Sequence, residues 1–120
     1  MILVDTSIWV DHLHQADTAL ADLLEHAEVL THPMVIGELA LGSIRDRAVF
    51  LAALDDLFSA VSATDDEVLT FIERSDLFGR GLNLVDVHLL ASVVLTPEAL
   101  LWTRDKRLQA AATELSLSYL

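Results

Sequence analysis

The chain contains no cysteine, which excludes disulfides and thiolate metal sites and is compatible with a reducing compartment. No apolar run approaches the ~18 residues that suggest a membrane span, and the N-terminus lacks the basic start of a secretion signal. The first apolar run begins at Met1, so the expectation is a cytoplasmic protein with no leader ahead of the fold and no membrane contact. Positive charge is scarce too. Seven Lys and Arg stand against nineteen Asp and Glu, a formal net charge of −12. That argues against a general nucleic-acid coat, whose backbone affinity comes from Lys and Arg. It leaves room for an enzyme that cuts nucleic acid, because divalent metals neutralise acids at the site itself. Most of the negative charge otherwise serves solubility. Repeats, linkers and low-complexity stretches are missing as well. The 120 residues, 53% of them apolar, are expected to fold as one domain, 1–120, with a real core.

What is present is an alternation of short strands and helices. Met1-Ile2-Leu3-Val4 reads as a buried strand closed by Asp5. A short helix over Ile8 to Leu13 follows, then a clearer one over Ala16 to Ala27, with Leu20, Leu23, Leu24 and Ala27 on one stripe. Val29 to Thr31 is a second strand, ended by His32-Pro33. Pro33 suits the first turn of a helix running to about Leu41, where Gly42 ends it. Helices over Asp46 to Leu57, from the Thr64 cap with Glu67 three residues on, over Leu84 to Leu95 and over Arg104 to Glu114 complete the set. Strands are expected at Ala60 to Ser62, Leu100 to Thr103 and Leu117 to Tyr119, and Gly79-Arg80-Gly81 makes a loop. This pattern predicts an α/β fold, a central parallel sheet covered by helices on both faces in three layers.

Four acids stand out against that frame. Asp5 and Asp105 lie at or just beyond the carboxyl ends of predicted strands, the rim where open α/β folds place ligands. Glu38 lies in the apolar stretch Val35 to Leu41, and Asp86 in Leu84 to Ala91, on helices able to pack over the same rim. Each has a bland alternative: Asp5 as a cap, Asp86 as a dipole partner, Asp105 as a first-turn Asp beside a Thr cap, Glu38 as a tolerated surface acid. Together they are harder to explain that way. Carboxylates ~6 Å apart would repel by roughly 3 kcal/mol per pair at an effective dielectric of about 20, so such a cluster persists by binding cations or taking up protons. Oxygen ligands without cysteine select Mg²⁺ or Mn²⁺ over Zn²⁺. Metal-assisted phosphodiester cleavage is chemistry that uses such a set.

The sequence Ile2-Leu3-Val4-Asp5-Thr6-Ser7, Glu38 within Val35 to Leu41, Asp86 within Leu84 to Ser92, and Thr103-Arg104-Asp105 resemble the four acidic motifs of PIN-domain ribonucleases, and most closely those of VapC-type toxins. The resemblance spans essentially the whole chain and shows no departure at the acidic positions. It implies a PIN-like α/β/α sandwich, Mg²⁺ or Mn²⁺ dependence and endoribonuclease activity on structured RNA. It also implies a homodimer and a cognate antitoxin whose tail enters the site, with DNA reached only through that antitoxin. On this chain Asp5 and Asp86 would be the main metal ligands, Glu38 and Asp105 would complete the pocket, and Thr103 would hold Asp105, with Thr6 and Ser7 in support.

Other polar residues divide between structural and functional readings. Arg104, Lys106 and Arg107 crowd Asp105; they decorate a surface helix or contact phosphate, and Arg80 between its glycines is read the same way. His12 and His14, two apart on a helix, make a poor metal pair, and His88 is read as a tolerated polar residue. Trp9 and Trp102 are read as core or dimer contacts rather than base-stacking surfaces. Three rivals remain for function. A receiver-like phosphoacceptor needs an acidic pair after the first strand, yet Asp5 stands alone. A haloacid-dehalogenase-like phosphatase needs Asp at position 7, which is Ser. A catalytically inactive PIN module acting as a binding partner is opposed by the intact acids.

Overall fold

Short apolar segments make the sheet. The structure, a computed structural model, describes residues 1–120. Its strands are β1 (Ile2–Val4), β2 (Val29–Thr31), β3 (Phe58–Ser59) and β4 (Leu100–Trp102). All pair in parallel, in the order β3-β2-β1-β4. The register sets Ile2 between Val29 and Leu100. Successive strand side chains point to opposite faces, and Leu3 and Val4 are both fully buried. Both faces of the sheet are therefore covered, giving the three layers that an all-parallel sheet requires.

The helices are α1 (Thr6–His14), α2 (Thr18–Glu25), α3 (Pro33–Ala40), α4 (Arg47–Asp55), α5 (Asp65–Arg74), α6 (Leu84–Leu95) and α7 (Lys106–Glu114). Their starts are set by caps. Asp17 accepts from the N–H groups of Ala19 and Leu20, so α2 begins at Thr18, two residues later than the expected Ala16. Thr64 and Glu67 form the expected capping box of α5. α6 has no polar face: every residue from Val87 to Val93 is buried, as expected of a helix apolar all round. None of the helices is long and apolar enough to cross a membrane.

Two strand expectations need correction. The third strand is Phe58–Ser59 rather than Ala60 to Ser62, although Ala60 still donates to the Thr31 carbonyl at 2.9 Å. Phe58 and Ser59 are exposed, so burial leaves no apolar signature to mark them. The closing segment Leu117 to Tyr119 is a single bridge, Ser118 opposite Leu101, held by two backbone hydrogen bonds. Because all the strands are parallel, the residues that follow them, Asp5, His32, Ala60 and Thr103, line one edge of the sheet.

Candidate active site

Asp5 ends β1 at this edge. Its N–H continues the ladder to the Trp102 carbonyl at 3.0 Å. Its side chain turns the chain into α1: Oδ1 accepts from the Thr6 N–H at 2.8 Å, and Oδ2 from the Ser7 and Thr103 hydroxyls at 3.3 and 2.6 Å. Asp5 is only 8% exposed, and three donors offset the cost of burying its carboxylate. The Thr103 hydroxyl also accepts from the Asp105 N–H at 3.1 Å. One hydroxyl thus ties together two acids a hundred residues apart in the chain.

Asp105 is itself the N-cap of α7, its Oδ1 accepting from the Leu108 N–H at 2.9 Å. The helix consequently starts at Lys106 and not at Arg104. Asp86 sits at the third position of α6 and shares a capping box with Asn83. Asn83 Oδ1 accepts from the Asp86 N–H at 2.8 Å, and Asp86 Oδ2 from the Asn83 N–H at 3.1 Å. The pattern Asn-x-x-Asp just before an apolar run carries this box in the sequence, where only the acid stood out. Glu38 comes from α3 and is exposed; its Oε1 accepts from the Thr6 hydroxyl at 2.7 Å. Thr6 thus bonds Glu38, and Ser7 bonds Asp5.

The four carboxylates share one electrostatic neighbourhood. The Asp86 carboxyl is pushed above its usual range, first by burial. The Asn83 N–H pulls against that, while the charges of Asp105, Asp5 and Glu38 all push the same way. No three of the chain's acids and imidazoles close into a ready-made ligand shell. Three of the four acids nevertheless keep an oxygen free of hydrogen bonds: Glu38 Oε2, Asp86 Oδ1 and Asp105 Oδ2. Hard carboxylate oxygens with unused lone pairs suit Mg²⁺ or Mn²⁺.

Comparison with known proteins gives the family. The family model of the PIN domain matches residues 2–114. The chain belongs to the PIN domain family. Two curated relatives, both named Ribonuclease VapC32 and from two strains of Mycobacterium tuberculosis, are 54% identical over 114 residues, covering 95% of this chain and 92% of theirs.

The cations around this PIN domain's acids are less available than the sequence suggests. Arg104 bonds Asp11 and Asp17 at 2.5 and 2.7 Å, with its guanidinium 5.9 Å from the Trp102 ring centroid. Arg80 bonds Glu114 at 2.7 Å. Contact of either with a phosphate would come at the expense of these pairs. Lys106 and Arg107 form no ion pair. Trp9 and Trp102 are core residues, packed edge-on to Phe50 at 5.9 Å and tilted on Tyr119 at 5.5 Å. His12 accepts the Asp17 N–H at Nδ1, a local structural role.

His32 escaped attention in the sequence. It follows β2 as Asp5 follows β1, and it caps α3, its Nδ1 accepting from the Met34 N–H at 3.0 Å. Its Nε2 meets the Ser92 hydroxyl of α6 at 2.9 Å. Burial, with the nearby His88 adding to it, holds the His32 pKa down to about 4. A polar residue just before a proline that opens a helix is the signal that marks it.

Proposed function

We propose that this PIN domain is a divalent-metal-dependent endoribonuclease, the toxin of a toxin–antitoxin pair, acting in the cytoplasm as a homodimer. The observation that carries the reading is the gathering of acids at one edge of the sheet, with Asp5 and Asp105 tied through the Thr103 hydroxyl, Glu38 brought to Asp5's neighbour Thr6, and Asp86 held at the start of α6. The name Ribonuclease VapC32 on relatives that align over nearly the whole chain supports it.

Asp5 and Asp86 would hold Mg²⁺ or Mn²⁺, with Asp105 and Glu38 completing the pocket. The bound ion would supply charge for the phosphate and a more acidic water. The chain's own groups do the positioning. Thr103 and Ser7 fix the Asp5 carboxylate, and the Asn83 box fixes Asp86. Thr6 holds Glu38 by Oε1, leaving Oε2 to orient the attacking water and take its proton. A bond forms from the water oxygen to phosphorus, the bond to the leaving ribose oxygen breaks, and that oxygen takes up a proton from solvent water. The RNA's own charge is met by Lys106 and Arg107, with Arg80 and Arg104 available at the expense of their ion pairs.

An antitoxin fits the same region. A groove of about 380 Å³ runs from Glu38 between α1 and α3, lined by Val10, Leu13, Leu39 and Ile44. An apolar helix would fill it, and a following Arg or Lys would reach the acids.

The deciding experiment compares wild type with Asp86→Asn. Purified protein should cleave structured RNA with Mg²⁺ or Mn²⁺ and not with EDTA, and expression should arrest growth. The variant should do neither while remaining folded. A variant that cleaves at the wild-type rate removes the metal-centre reading. A folded wild type that binds RNA or a protein partner but cleaves nothing favours the inactive binding module.

A further inference from the structure

Arg107, like Lys106, stands near the rim with no acid paired to it. It is the second residue of α7, two beyond Asp105, and its side chain crosses Gly81, two residues before the Asn83 cap of α6. A methyl group on Gly81 would come within 2.5 Å of Arg107 Nη1, 3.0 Å of Cζ and 3.1 Å of Cδ. Gly81 also has φ +75, the left-handed region that other residues rarely adopt. The loop therefore turns at a residue that leaves room for the guanidinium, between the helix starts that carry Asp86 and Asp105. Nothing neutralises that guanidinium within the chain, while Arg104 and Arg80 are both paired.

The geometry points to Arg107 as the residue that grips the RNA backbone beside the acids, with Gly81 as the seat that holds it in place. This rests on the ribonuclease reading. A chain of net charge −12 repels RNA at long range, so its approach to four carboxylates needs a fixed local cation. Guanidinium offers a planar fork that matches a phosphate, and its long stem ordinarily loses rotamer freedom when the fork binds. Packing the stem across Gly81 removes part of that cost beforehand. The contact would be with a phosphate and would carry no base preference.

The test measures binding of a short fluorescein-labelled RNA hairpin by anisotropy across a salt series, in an Asp86→Asn background that does not cleave. Arg107→Ala should weaken binding about tenfold and lower the log–log salt slope by about one. Arg107→Lys should recover the slope but only part of the affinity. Gly81→Ala removes no charge, yet should weaken binding to a similar degree, and Gly81→Ala with Arg107→Ala should be little worse than either alone. Gly79→Ala is the control: Gly79 has φ +71 but no atom within 4 Å of an added Cβ, so it imposes similar backbone strain without moving Arg107. Arg80→Ala removes a charge already paired and should change the slope least.

Arg107→Ala with unchanged affinity and slope overturns the inference. Gly81→Ala that binds like Gly79→Ala overturns the seat. Should Gly81→Ala not fold, the Arg107→Ala and Arg107→Lys pair decides alone. Wild-type protein that neither binds nor cleaves RNA refutes the ribonuclease reading instead, so the two failures are distinguishable.

Discussion

Acid should loosen this fold through His32. The neutral ring accepts the Met34 N–H at Nδ1 and so carries its own hydrogen on Nε2, which donates to Ser92. A second proton on Nδ1 would point one donor at another and abolish the α3 cap. In the folded protein the pKa falls from 6.5 to about 4, so the unfolded chain binds this proton more readily than the folded one. The stability held by the neutral ring is complete above about pH 6.5 and is lost as pH falls toward 4. The drop corresponds to about 3 kcal/mol in full, of which about 2.5 kcal/mol should be gone between about pH 7.5 and about pH 4.5. His32 is 2% exposed, so solvent screens little of this. His32→Asn is the matched comparison, because Asn still caps the helix but does not titrate. Urea unfolding of both proteins at the two pH values cancels the carboxylates they share. Wild type should lose about 2.5 kcal/mol more than the variant, or ~10 °C in Tm for a chain of this size. Parallel pH profiles for the two proteins would refute the reasoning.

Thr103→Val should lower cleavage by about 10- to 100-fold, as expected when a residue that orients a metal ligand is lost, and Thr103→Ser should restore most of it; unchanged kcat/KM in the Val variant would detach Asp5 from the mechanism. Asp86→Asn should raise the metal-free melting temperature at neutral pH, since it relieves a half-buried charge near three others while Asn keeps the capping bond. That gain should shrink as pH falls through the raised folded pKa of Asp86, where the native carboxyl is itself neutral; a variant less stable than wild type at every pH would contradict it. Millimolar Mn²⁺ should stabilise the wild type by about 2.7 kcal/mol at ~100 times its Kd and Asp86→Asn far less, with equal melts in Mn²⁺ and EDTA the contrary outcome.

Local signals were legible wherever one element alone decided the structure. β2 and α6 fall where their apolar runs place them, and Pro33 and the Thr64–Glu67 pair open their helices as expected. The acids were legible for a similar reason: a charge at the end of a buried strand, or alone in an apolar helix, has few ordinary uses. What escaped was set by partners distant in sequence. Arg104 is adjacent to Asp105, but Asp11 and Asp17 claim it from about ninety residues upstream. His32 and Ser92 are sixty residues apart, and only the fold, which sets the residue capping α3 against α6, makes them a pair. β3 was misplaced because an exposed two-residue edge strand has no burial pattern to read.

These hidden contacts explain how the rim tolerates its acids. A carboxylate that caps a helix is stabilised by the dipole and by bare N–H groups, and Asp5, Asp86 and Asp105 all occupy such positions. The same bonds that offset the repulsion fix one oxygen of each of Asp86 and Asp105, and leave the other oxygen unpaired. Glu38, in the interior of α3, has no such local support and depends on Thr6 across the site. Its placement relative to Asp86 depends further on how α3 meets α6, and there the buried His32–Ser92 bond joins the two helices. Protonating His32 would thus loosen Glu38 relative to Asp86, whereas Asp5 and Asp105, linked through Thr103, would keep their geometry. The acid limb of a pH–rate profile should therefore shift in a variant that removes the His32–Ser92 bond, Ser92→Ala foremost, and toward lower pH, because the imidazolium makes that bond more strongly than the neutral ring. It should stay where it is in Thr103→Ser. An acid limb that Ser92→Ala leaves unmoved would show that the α3–α6 brace holds the fold without tuning the site.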